Sequence, residues 1–169
     1  MKNIKLIIIL SFLVALASCD KKYDDGPCIS FISAEKRIIG KWEIEKLIVG
    51  QEILTDKYNS KGFNVYNYTF SRNIENEKFL ILDNSSNSHV VAQSRYYLND
   101  ENTEITFYLK SFQQYYDEVT PLFNFVPAFN DECKWTISRL KTKEMWIHTT
   151  YQDVYYEVHF KLVYDIDIN

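Results

Sequence analysis

Apolar and polar side chains alternate with a period of two through most of the chain from Gly40 to Tyr164, broken by short polar turns and one long interruption. Residues 38–50, Ile-Ile-Gly-Lys-Trp-Glu-Ile-Glu-Lys-Leu-Ile-Val-Gly, predict a first strand with Trp42, Ile44 and Ile48 facing inward. Gly40 lets the chain turn sharply into it. Residues 63–71 place Tyr66, Tyr68 and Phe70 on one face, with Asn64 beginning that face, and residues 78–83 predict a short strand between polar turns. Residues 90–98 set Val90, Ala92, Tyr96 and Leu98 against His89, Gln93 and Arg95. Residues 103–110 set Ile105, Phe107 and Leu109 against Glu104, Thr106, Tyr108 and Lys110.

Three more strands follow at residues 133–140, 144–151 and 154–164. Their inward sets are Cys133, Trp135 and Ile137; Met145, Ile147, Thr149 and Tyr151; and Val154, Tyr156, Val158, Phe160 and Leu162. An even-numbered loop between the last two keeps both sets on one face, as a hairpin requires. The pattern predicts an all-β fold: an antiparallel up-and-down meander of about eight strands that closes into a barrel and leaves no exposed edge. A short N-terminal helix within residues 30–39, N-capped by Ser33, would turn Ile38 and Ile39 toward the barrel and close one end.

The interruption is residues 111–131, with Pro121, Pro127 and the aromatics Phe112, Tyr115, Tyr116, Phe123, Phe125 and Phe129. Two prolines argue against a central strand. The segment reads as one large loop, and two roles stay open for it: a lid over a barrel mouth, or a plug whose aromatics fill the barrel.

The amino terminus has a different character. Lys2 and Lys5 precede an uncharged apolar run at residues 6–17, too short for a stable bilayer span, which fits a signal peptide over residues 1–18. The run ends in Leu16-Ala17-Ser18-Cys19, which resembles the lipobox of bacterial lipoprotein signal peptides. The resemblance implies cleavage before Cys19 and acylation of that residue, hence a partner in the membrane itself. Residues 19–35 then hold the lipidated Cys and a polar tether, and residues 36–169 form the barrel domain. The charged stretch with Asp20, Asp24 and Asp25 also resembles surface-export signals of Bacteroidota lipoproteins; a solvated linker is the plainer account.

Composition sharpens this picture. Cleavage leaves 151 of the 169 residues, enough for one domain, and moves the net charge from −4 to −6 because Lys2 and Lys5 depart. An acidic chain without a basic cluster makes a nucleic acid partner unexpected. With 13 Tyr and 11 Phe against only 4 Gly, the chain favours strands with aromatic faces and offers little for a nucleotide cradle. Cys28 and Cys133 remain after lipidation of Cys19, either bonded to each other or as thiols.

The strand count, with Gly40-Lys41-Trp42 opening the first strand, resembles the lipocalin-like lipoproteins of Bacteroidota over about residues 36–164. That resemblance implies an outer membrane lipoprotein, facing periplasm or cell surface, whose barrel binds a small apolar or amphipathic ligand. The expected wall is Trp42, Tyr66, Tyr68, Phe107, Trp135 and Tyr156, with Phe123, Phe125 and Phe129 as lid. The alternative is a protein interaction module with a filled barrel and an exposed aromatic loop. Lipocalins carry an Arg after the last barrel strand, whereas the nearest candidate here, Arg139, precedes two strands.

Catalytic signatures are missing, so no enzyme, catalytic residue or cofactor is expected. His148, Glu157 and His159 share the outer face of the final hairpin, where a solvated surface is the plain expectation and a metal the sharper one. Lys46 falls on the face of Trp42 and Ile44, either reaching out at the rim or meeting an acidic head group inside.

Overall fold

A computed structural model describes Tyr23 and residues 32–86, 89–108, 120–129 and 132–164. Cys19, Cys28, the leader and Phe112, Tyr115 and Tyr116 lie outside the described residues. Helix α1 (Ala34–Ile38) is capped as expected, the Ser33 hydroxyl accepting from the Lys36 backbone N–H at 3.3 Å. Strand β1 (Gly40–Val49) follows, with a two-residue strand β2 (Glu52–Ile53) folded back on its end. Helix α2 (Thr55–Ser60) and a 3-10 turn (Phe63–Val65) lead into β3 (Tyr66–Arg72), β4 (Lys78–Asn84), β5 (His89–Leu98) and β6 (Glu104–Tyr108). Helix α3 (Thr120–Phe125), a second 3-10 turn (Pro127–Phe129), β7 (Lys134–Leu140), β8 (Glu144–Tyr151) and β9 (Val154–Tyr164) complete the chain.

The strands pair antiparallel in the order β2-β1-β3-β4-β5-β6-β7-β8-β9, and β1 also pairs with β9. That last pairing closes an eight-stranded up-and-down barrel from β1 and β3 to β9, the architecture expected from the alternation. Strand β1 is the seam: Gly40, Lys41 and Trp42 pair with β3, while Lys41 to Val49 pair with β9. Tight turns set the register. Gln152 and Asp153, both left-handed at φ 49° and 61°, form the two-residue β8–β9 connection, the geometry that matches strand twist. At the β3–β4 turn the Asn73 side-chain oxygen accepts from the backbone of Glu75 and Glu77, and Asn99 does the same for Thr103 and Glu104 at the β5–β6 turn.

Several local readings change. A register shift opposite Leu82 and Asp83 puts one extra residue into β5, so Val91 rather than Val90 enters the core. A register shift between Ile44 and Lys46 puts one extra residue into β1, so Leu47 rather than Ile48 enters the core, and Ile48 is half-buried. The same bulge settles Lys46 on the outer face, paired with His159. Asn64 lies in the 3-10 turn, exposed, rather than on the face of Tyr66. The long loop contains α3, because Pro121 sits in its first turn, where a missing N–H breaks no helical bond. Cys133 precedes β7 and is half-buried against the core.

A polar clamp on the outer wall ties the seam. Asp83, on β4 and only 5% exposed, accepts from Lys41 Nζ at 2.9 Å, Asn67 Nδ2 at 3.1 Å and Thr69 Oγ1 at 2.9 Å. The three donors come from β1 and β3, where β1 begins to part from β3, and they satisfy a carboxylate that burial alone would penalise.

Candidate functional site

The barrel has two unlike ends. At the end where β1 begins, α1 lies across the opening: the Trp42 indole N–H donates to the Ile38 carbonyl at 2.9 Å, and the Arg37 guanidinium donates to the Leu140 carbonyl. Tyr23 docks there too. Its hydroxyl donates to the Asn102 carbonyl at 2.9 Å, the Arg37 guanidinium stands 5.7 Å over its ring, and the ring is 3% exposed. Trp42, expected in a ligand wall, is fully buried in this floor.

The opposite end is closed by side chains from outside the wall. The segment Thr120–Phe129, here termed the cap, sends Phe129 inward, where its ring stacks on Trp135 at 5.1 Å and 28°. The same ring meets Tyr68 at 5.9 Å and Phe107 at 6.2 Å. Below it Phe70 packs edge-on to Tyr96 at 5.3 Å and to Phe160 at 6.2 Å. Beside the cap, Tyr58 from α2 contacts Phe63 at 5.6 Å and Phe125 at 6.4 Å, while Phe63 and Phe125 meet at 5.6 Å.

Of the nine expected ligand residues, the structure therefore brings Tyr68, Phe107, Phe129 and Trp135 into one cluster. Phe123, itself part of the cap, is buried, and half-buried Phe125 joins the outer group with Tyr58 and Phe63. Tyr156 is buried near the capped end, opposite Thr149 on β8 and Val49 on β1, and Tyr66 is buried at the start of β3. Sequence reasoning passed over Tyr58 because it stands alone in a polar stretch; a single aromatic in a six-residue helix leaves no periodic mark.

Polar groups inside are few. The Tyr58 hydroxyl donates to the Phe63 carbonyl at 2.9 Å and lies 3.3 Å from the Tyr68 hydroxyl. Burial pushes both phenols well above their ordinary range, so both stay neutral in water at any physiological pH. Trp135 differs: its indole N–H is buried and nothing among the described residues accepts from it. A buried donor left without an acceptor costs about 1–3 kcal/mol, so such groups are uncommon unless they serve something.

Two hollows formed by described residues open on the outside. One of about 350 Å³ lies beside the cap, lined by Lys61, Phe63, Pro121, Asn124 and Phe125. Another of about 280 Å³ lies at the β3–β4 turn against Arg95, Tyr96 and Tyr97.

The outer face of the last strands carries an ordered ladder. The Arg139 guanidinium stands 4.2 Å over Trp146, Trp146 stacks on His159 at 4.0 Å and 6°, and His159 Nε2 meets Glu157 at 2.5 Å. The Tyr155 hydroxyl donates to the other Glu157 oxygen at 2.6 Å, and His148 pairs with Glu157 in register. Burial pushes the Glu157 carboxyl up, but the hydroxyl of Tyr155, the ring of His159 and the charges of both histidines together hold it below the usual glutamate range. The metal expectation is not met: among the described residues no three metal-ligating side chains converge to hold an ion. Arg139 packs on Trp146 outside the barrel rather than on Trp42.

No family model matches the chain, and no curated protein is similar to it. Among solved structures, a lipocalin-like protein from Bacteroides uniformis is similar at 13% identity and a TM-score of 0.41, covering 75% of this chain and 98% of that one.

Proposed function

We propose that this protein is a non-enzymatic outer membrane lipoprotein, anchored through Cys19, whose barrel binds a small amphipathic molecule at the capped end. The observation that carries the reading is the Trp135 indole N–H, buried beside the stacked ring of Phe129 with no acceptor among the described residues. Phe129 belongs to the cap and not to the wall, so it can leave without any barrel strand moving. A ligand fits this site when an apolar chain or ring takes the place of Phe129 and a carbonyl or carboxylate oxygen accepts from Trp135. Binding then gives the Trp135 N–H an acceptor that no described residue supplies.

The test is titration of residues 20–169 with decanoate, followed through the three tryptophan indole N–H signals by NMR, assigned with Trp135→Phe. The reading expects the Trp135 signal to move downfield and its solvent exchange to slow, with Trp42 and Trp146 little changed. An unmoved Trp135 signal at saturating decanoate and at saturating host lipid extract refutes the site.

A second reading is favoured by the same packing taken at face value. Tyr68, Phe107, Phe129 and Trp135 are each 3% exposed or less, as in a permanently filled barrel. The protein would then be an interaction module working through its outer surface. Its signature in the titration is an indole spectrum indifferent to every amphiphile.

A further inference from the structure

The docking of Tyr23 and the position of Ile74 are explained by neither reading of the interior. Tyr23 is pinned at the α1 end by the Asn102 carbonyl and the Arg37 guanidinium, and is almost completely buried. Only three residues, Asp20, Lys21 and Lys22, stand between it and Cys19, and the four Cα–Cα steps reach at most about 14 Å. A lipid on Cys19 therefore holds the α1 end of the barrel close to the bilayer. The capped end is held away, because the ten-residue strand β1, tilted by about 40°, raises it by about 25 Å.

The β3–β4 turn projects from the same α1 end, as the pairs Gly40 with Phe70 and Arg72 with Lys78 require. At its tip stands Ile74, the most exposed large apolar side chain among the described residues at 103%. It is presented by a rigid frame: Asn73 N–H donates to the Glu77 carbonyl at 3.0 Å, and Asn76 N–H to the Asn73 carbonyl at 3.1 Å. A β-branched apolar residue on a stiff turn has no use for water on all sides. A lipid surface within reach of the tether gives it one.

We propose that the β3–β4 turn is a membrane-contact point: Ile74 inserts into the interfacial layer and, with the anchor at Cys19, orients the barrel with its capped end toward the aqueous side. The α1 end carries both signs of charge, Lys36, Lys141 and Lys143 with Glu75, Asp100 and Glu101, so contact depends on the apolar tip and not on anionic lipid. The inference rests on acylation of Cys19, and it implies that the cap meets its ligand from solution rather than from the supporting bilayer.

The experiment is hydrogen exchange on the mature lipoprotein in vesicles, once of phosphatidylethanolamine with phosphatidylglycerol and once of phosphatidylcholine alone, compared with unacylated residues 20–169 in solution. Intact mass first reads acylation; a chain without acyl groups overturns the anchor reading and this inference with it. With acylation confirmed, deuterium uptake at residues 73–77 slows at least threefold in both vesicle types, while the turns at Gly50 and at Gln152–Asp153 keep their solution rates. In Ile74→Ser, which alters a fully exposed side chain, the slowing at 73–77 disappears and anchoring persists. Unchanged uptake at 73–77 in the acylated protein, or slowing at the capped-end turns, overturns the inference while leaving the anchor reading intact.

Discussion

Removing the Phe129 ring separates a structural cap from a loosely draped loop. The ring is 3% exposed and contacts Trp135 at 5.1 Å, Tyr68 at 5.9 Å and Phe107 at 6.2 Å. Phe→Ala in a packed core costs about 3–5 kcal/mol, of which each aromatic pair contributes about 0.5–1.5 beyond its buried area. Because the cap is not part of the wall, it can partly settle into the space, which places the expected cost near the lower bound, about 3 kcal/mol. For a domain of this size that lowers Tm by roughly 6–12 °C. The assay is urea and thermal unfolding of residues 20–169 and of Phe129→Ala, with the m-value checked for constancy. The cavity left behind is apolar apart from the Trp135 N–H, so saturating indole or decanoate should restore part of the lost stability. A loss under about 1 kcal/mol would refute the packing argument, since a ring held by three aromatic neighbours cannot be removed that cheaply. A full loss with no rescue by any apolar probe would refute the exchange of Phe129 for ligand.

Further expectations follow from single features. The bulge in β1 sets Leu47→Ala against Ile48→Ala: the first should cost about 2–5 kcal/mol and the second under about 1.5, by urea unfolding, and the reverse order would mean that the strand keeps a strict alternation. Asp83→Ala should lose about 2–3 kcal/mol, because Asn67 and Thr69 are left as buried donors; a neutral result would deny the clamp its role at the seam. Glu157 has a carboxyl held below its ordinary range in the fold, so its contribution is present above the unfolded value of about 4.3 and is lost as pH falls through the lower folded one. Unfolding measured from pH 6 to pH 2 should therefore show a shallower acid decline for Glu157→Gln than for the parent chain; parallel curves would contradict the assignment.

The barrel was legible in the sequence because burial on one face forces a period of two, and eight runs carried that period. The last two strands agree to the residue, since their hairpin turn admits one register. The bulge in β1 was hidden: no glycine or proline marks Glu45, and Lys46 and Leu47 suit a strand in either phase. Helix α3 was hidden by Pro121, which signals a break in mid-helix but is tolerated in a first turn. The candidate site was half legible. Aromatic content pointed to Tyr68, Phe107 and Trp135, and to Phe129 against them. Nothing in the order of residues says that the Trp135 N–H would find no acceptor among the described residues, because that depends on which side chains the other strands and the cap bring near it.

The central claim is that the space held by Phe129 is a ligand site, and native mass spectrometry of residues 20–169 tests it most directly. The protein is purified without detergent, incubated with host lipid extract, and compared with its denatured mass. The account predicts a bound small molecule, lost on denaturation and retained in Phe129→Ala. A bare protein mass in both chains after incubation would contradict it and leave the barrel as a filled scaffold.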